Sequence, residues 1–169
     1  MQWPAGTIRD RGDVAKVLSL LAREREVLEA LLFTVEQQGP LLEDGAVPAL
    51  RAGSAEVLEL LDELRHLELL RAVVVAGLGI DADATLADVA DACGGALGRL
   101  TGHHRTALLA IGSEVMQAAR DNRVLLAAAV AERPALEVYA REVGYTPADL
   151  VPPSLRSFLG QPDPGPKDC

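Results

Sequence analysis

An all-α fold is predicted by three features of this chain of 169 residues. Apolar residues recur at helical spacing along most of its length, and glycine or proline separates the periodic stretches. Hydrophobic residues make up 49% of the sequence while aromatics supply only 3%, so the core must be built from Leu, Val and Ala. That palette suits close-packed helices better than a β-sandwich, which draws on aromatic and β-branched side chains. The expected architecture is an elongated antiparallel helical bundle or coiled coil of three long helices plus a short helix, with a disordered C-terminal tail.

Residues 1–12 read as a flexible N-terminal arm. Asp13 is placed to cap a first helix, whose buried stripe runs through Val14, Leu18, Leu21, Leu28, Leu32 and Val35. The stripe skips Arg25, inside the charged run Arg23-Glu24-Arg25-Glu26. Gly39-Pro40 is expected to end this helix, because proline removes a donor and glycine relaxes the exit, which leaves a rod of roughly 40 Å. A second helix is predicted from about Val47 to Ala76, with Pro48 tolerated in the first turn and Leu50, Val57, Leu61, Leu64 and Leu67 facing inward. Gly77-Leu78-Gly79 stops it. Thr85-Leu86-Ala87-Asp88 resembles a capping box that opens a short helix to about Ala92, and Cys93-Gly94-Gly95 breaks the chain again.

The last long helix starts at Ala96, or near Thr101 if Gly102 interrupts it. Within it, HHRTALLAIGSEVMQAARDNRVLL carries a stripe of Leu108, Ile111, Val115, Ala118, Leu125 and Ala129. Asn122 falls where the stripe expects an apolar side chain, and a polar amide in a helical seam sets register or partner choice. Pro134 terminates or kinks the helix, a final helical piece spans Ala135 to Glu142, and Gly144 ends it. The helical domain is thus 13–143, and the proline-rich stretch 144–169 is expected to be disordered.

A net charge of -9 repels phosphate backbones and anionic lipid, so nucleic acid and membrane are poor partners and basic or amphipathic polypeptides are better ones. The greasiest run, VVVAGLGI at 73–80, is far short of the roughly 20 residues that span a bilayer. The N-terminus lacks an apolar signal core, which points to the cytoplasm and to Cys93 and Cys169 as reduced thiols.

Candidate chemistry is thin. His103 and His104 are adjacent and so point about 100° apart on a helix, whereas ligand pairs sit at i and i+4. Gly77-Leu78-Gly79 has Ala82 where a dinucleotide loop wants its third glycine, and it follows a helix rather than a strand. Arg11-Gly12-Asp13 spells an adhesion tripeptide, but Asp13 is already assigned to a cap. Glu24, Glu26 and Glu29, like Glu59, Asp62 and Glu63, fit solvated helix faces. No serine or cysteine sits in a nucleophile motif. Neither catalysis nor a metal or cofactor is expected.

Four blocks in order resemble the FlgN family of flagellar export chaperones: LAREREVLEALLFTVEQQ (21–38), AEVLELLDELRHLELLRAVVVA (55–76), TLADVADA (85–92) and the HHRTALLAIGSEVMQAARDNRVLL stretch, with Asn122-Arg123 followed by Leu125-Leu126. The resemblance implies a cytoplasmic, non-enzymatic chaperone that holds the C-terminal amphipathic region of hook-filament junction proteins before type III export. It places partner binding on Asn122, Arg123, Leu125 and Leu126, and helix position extends the set to Val130, Leu136 and Tyr139. The export apparatus and a second copy of the chain are further candidate partners. The alternative is a structural or regulatory coiled-coil adaptor for another helical protein. Because no ligand set has good geometry, chelator or micromolar zinc is expected to leave the melting temperature unchanged; a shift of several degrees in a thermal melt would revive the histidine site.

Overall fold

The computed structural model describes residues 11–143. They form five helices and, among the described residues, no strand: α1 (Arg11–Asp44), α2 (Val47–Gly77), α3 (Leu86–Cys93), α4 (Gly95–Glu132) and α5 (Pro134–Val143). The N-terminal arm through residue 10 and the tail from residue 144 lie outside the described residues, whereas Arg11 and Gly12 belong to α1 rather than to the arm.

The buried side chains of the long helices recur in steps of three and four. On α1 they include Val14, Val17, Leu21, Glu24, Leu28, Leu31, Val35, Gln38 and Leu42, and on α4 Leu108, Gly112, Val115, Ala119, Asn122 and Leu126. This spacing keeps one seam turned toward a neighbouring helix over many turns. Val27 and Thr34 are buried too, so α1 hides more than one stripe. It is the central helix, packed along α2 on one flank and α4 on the other, while α2 and α4 hardly meet. Glu24 pairs with Arg71 and Gly53 lies beside Gln38, which makes α2 antiparallel to α1. Asn122 meets Val35 and Arg133 meets Glu43, so α4 runs parallel to α1. The short α3 packs on α4 and contributes Leu86 and Val89 to the main core.

The stripes expected from the sequence are displaced. Leu18 and Leu32 on α1, and Ile111, Ala118, Leu125 and Ala129 on α4, are only half-buried and flank the seam. Its centre holds small residues such as Gly112 and Ala119, because helices approach most closely where side chains are smallest. Asp13 lies inside the first turn of α1, where its carboxylate accepts from Lys16 Nζ at 2.6 Å, rather than standing before the helix as a cap.

The larger correction is at Gly39-Pro40, which α1 passes through to reach 34 residues and roughly 51 Å. Pro40 is exposed and deprives only the Glu36 carbonyl of its partner, while Leu42 beyond it is fully covered. Burial of such a side chain is worth about 1.5–3 kcal/mol, enough to offset a proline penalty of about 3 kcal/mol once neighbouring contacts add to it. The stop is Gly45, at φ 69°, a left-handed conformation that a Cβ disfavours. There the Gly45 and Ala46 amides donate to the Leu42 and Leu41 carbonyls at 3.2 and 2.9 Å. Gly79 ends α2 in the same manner, so Gly77-Leu78-Gly79 is a helix terminus, as expected. Thr85 and Asp88 form the expected capping box. α4 starts at Gly95 and continues through Gly102 without a break.

Glu24, assigned to solvent by the sequence pattern, is buried instead, and its carboxylate accepts from Arg71 Nε at 2.7 Å. Loss of water pushes the carboxyl upward more than the guanidinium pulls it down. Attraction and desolvation nearly cancel in such a pair, which therefore specifies register more than it stabilises. Replacing Arg71 by Leu alone is expected to cost about 3–5 kcal/mol by stranding a carboxylate, and replacing both residues by Leu or Met to be neutral or stabilising. Urea titrations of the single and double variants check this; equal losses in both would show that the pair itself holds the fold.

Candidate partner-binding site

Pro134 shapes the far end of the bundle. A proline disfavours helical backbone in the residue before it, and Arg133 is accordingly extended at φ -136°, ψ 100°. α4 stops there, and α5 folds across the corner at which α1 turns into α2. Leu136, Tyr139, Ala140 and Val143 recur at helical spacing on α5, the first two fully buried and the others half-buried. With Leu42, Val47, Leu50 and Leu126 they form a second apolar core, separate from the main one.

Polar contacts fix the arrangement. The Tyr139 and Ser54 hydroxyls share a hydrogen bond of 2.8 Å, and Arg51 Nε donates to Glu142 Oε2 at 2.8 Å. Arg133 Nη1 donates to the Glu43 carbonyl at 2.5 Å, satisfying an orphan acceptor in the last turn of α1 with a cation. Burial pushes the Tyr139 phenol up against the opposing effect of Ser54, so it remains a neutral hydroxyl.

Of the seven positions singled out in the sequence, Leu126, Leu136 and Tyr139 come together in the second core, with Leu125 and Val130 half-buried on its margin. Arg123 points to solvent. Asn122 lies one turn earlier, buried, with its amide donating to the Val35 carbonyl at 2.6 Å. α5 and the α1–α2 corner cover the side of the α4 end that carries Leu126. Gly39 belongs to the same contact, since a Cβ there would meet Asn122 Oδ1 at 3.3 Å and Leu125 at 3.7 Å. The residue read as a helix stop is where α1 and α4 come close.

Sequence reasoning missed Leu42 and the polar partners Ser54, Arg51 and Arg133. Ser54 carried a signal, a hydroxyl at a seam position of α2, whereas nothing local marked Arg133 as the cap of a helix about ninety positions earlier. His103 is exposed and His104 half-buried, with partial burial, Arg25 and His103 all holding the His104 imidazole below its usual range. Burial pushes the Cys93 thiol up, while Cys169 lies outside the described residues. Among the described residues no group of three His, Cys, Asp or Glu side chains could hold a metal ion.

The Asn122 contact can be probed by changing only its chemistry. Asn122→Ala is expected to cost about 1–3 kcal/mol by removing a buried donor. Asn122→Asp should cost more, since it sets a carboxylate against a carbonyl acceptor at hydrogen-bond distance. Denaturant melts rank the two; an aspartate variant as stable as wild type would show that the amide donates nothing that matters.

No curated protein and no solved structure matches the chain. The family model described as FlgN protein does, over residues 13–131. The match takes in α2 and α3 and nearly all of α1 and α4, and it ends before α5. A match across most of the helical body, in a chain whose fold is an all-α bundle, makes this protein a member of the FlgN family of flagellar chaperones.

Proposed function

We infer that this protein is a non-enzymatic, cytoplasmic export chaperone that holds the C-terminal amphipathic region of a hook-filament junction protein and keeps it unpolymerised before type III export. The observation that carries this reading is the family match along the bundle's length. The chemistry of the α4 end supports it. Aliphatic side chains from α1, α2 and α4 converge there on a short amphipathic helix, so the bundle end is built to cover the apolar face of a helix. A polymerisation-prone segment is held soluble by burying that face, and an acidic surface keeps the complex dispersed. Among the described residues no helix is long and apolar enough to cross a membrane.

Calorimetric titration with the C-terminal segment of a junction protein from the same organism is expected to show binding. Leu125→Ser with Leu126→Ser should weaken it at least tenfold, about 1.4 kcal/mol. Leu126 also belongs to the second core, so the comparison is made at a temperature where far-ultraviolet circular dichroism shows intact helices. Folded wild-type protein that ignores every junction protein of its host would overturn the chaperone reading in favour of an adaptor with another partner.

A further inference from the structure

α5 differs from every other helix in the bundle in that it takes no part in the main core. It joins α4 through Arg133, whose extended backbone lies outside helical geometry, so rotation there moves α5 as a body. Its apolar side chains sit in the second core and take no part in the main one. Of its polar ties, the Arg51–Glu142 bridge is about half exposed, at 51% and 47%, and pairs of that kind contribute about 0–1 kcal/mol. α5 also lies beyond the part of the chain that matches the family.

The seat beneath it is a groove with walls from three helices: Leu42 of α1, Val47 and Leu50 of α2, and Leu126 of α4. Ser54 places a hydroxyl at the point reached by the Tyr139 phenol. Arg51 and Arg133 stand at the rim, the first on the carboxylate of Glu142 and the second on a backbone carbonyl. α5 therefore displays what the groove accepts: a short amphipathic helix with an aliphatic residue, a hydrogen-bonding aromatic three positions on, and an acid one turn later.

We propose that α5 is a displaceable strap seated in a helix-binding groove, and that an amphipathic, acid-bearing helix of the cargo takes this seat when α5 swings out about Arg133–Pro134. The identity of the cargo rests on the chaperone reading; the strap and the groove do not. A tethered helix competes at an effective concentration of about a millimolar, so a more dilute cargo must bind the groove far more tightly than the strap helix does. A longer helix can do so by adding contacts on half-buried Leu125 and Val130. With no cargo present the strap closes, and the groove does not stand open as an apolar patch.

Two variants in a Cys93→Ser, Cys169→Ser background separate the possibilities. Arg51→Cys with Glu142→Cys, joined by a short bis-maleimide, locks the strap; Leu136→Ser with Tyr139→Ser lifts it and leaves the groove intact. The probes are a labelled synthetic peptide of residues 133–143 and the C-terminal segment of a junction protein. The lifted variant is expected to bind the strap peptide at about a millimolar or below and the junction segment at least tenfold more tightly than wild type. The locked protein should exclude the peptide and bind the junction segment at least tenfold more weakly. Strap peptide seated on the lifted variant while no form binds any junction segment would leave the strap standing and remove the chaperone reading. A locked protein that binds the junction segment as wild type does would overturn the strap and leave the chaperone intact. Should the lifted variant not fold, hydrogen exchange on wild type decides: amides of 134–143 must exchange through openings that leave α1 and α4 protected, and uniform protection overturns the proposal.

Discussion

α1 buries two flanks at once, and the placement of the other two long helices depends on that. Because α2 and α4 hardly meet, each is held in place through α1 rather than through the other. A helix with this duty cannot be amphipathic in the usual sense, with one greasy face and one wet one. Its buried arc takes in more than one stripe, and it encloses even Glu24, Thr34 and Gln38. Each polar group so enclosed becomes a register mark. Glu24 has its cation at one level of α2, and Val35 receives an amide at one level of α4. Sliding either neighbour by a turn would bury these groups against apolar side chains, at a cost larger than the apolar contacts could return.

Much of this was legible in the sequence because the physics responsible is local. Helix content, the inner face of α2, the capping box at Thr85 and the stop at Gly79 each follow from residues within a few positions of one another. What escaped is non-local or concerns small side chains. Gly39 reads as a terminator by itself and becomes a contact residue only when Asn122, far along the chain, lies against it. Glu24 sits among charges and looks solvated until Arg71 faces it. Gly112 and Ala119 hardly register on a hydrophobicity scale, yet they occupy the α1–α4 seam. At the candidate site, Leu126, Leu136 and Tyr139 could be chosen from the sequence, but not the fact that they pack on one another, since a proline tells where a helix ends and not where the chain goes next.

The two apolar cores divide the labour of the molecule. The larger is shared by α1 to α4 and includes Val35, whose carbonyl receives the Asn122 amide; the smaller closes the end at which α1 turns into α2. An extended bundle needs such a closure, because the last turns of its helices are flanked on fewer sides than the middle. Here the closure comes from the chain itself, through a helix whose apolar face is only a few residues long. A cap of that size protects the bundle end without committing it permanently, which suits a family whose members handle other flagellar proteins.

The scarcity of aromatic residues gives the smaller core a spectroscopic identity. The chain has one tryptophan and two tyrosines, and Trp3 and Tyr145 lie outside the described residues. Tyr139, the one tyrosine among the described residues, is clamped, 2% exposed and hydrogen-bonded to Ser54. An aromatic ring gives near-ultraviolet circular dichroism when its surroundings are fixed and asymmetric, whereas the far-ultraviolet signal reports backbone helicity. The immobilised phenol and the helical backbone therefore absorb polarised light in separate bands, and Tyr139 contributes a signal from one corner that is distinct from that of the rod.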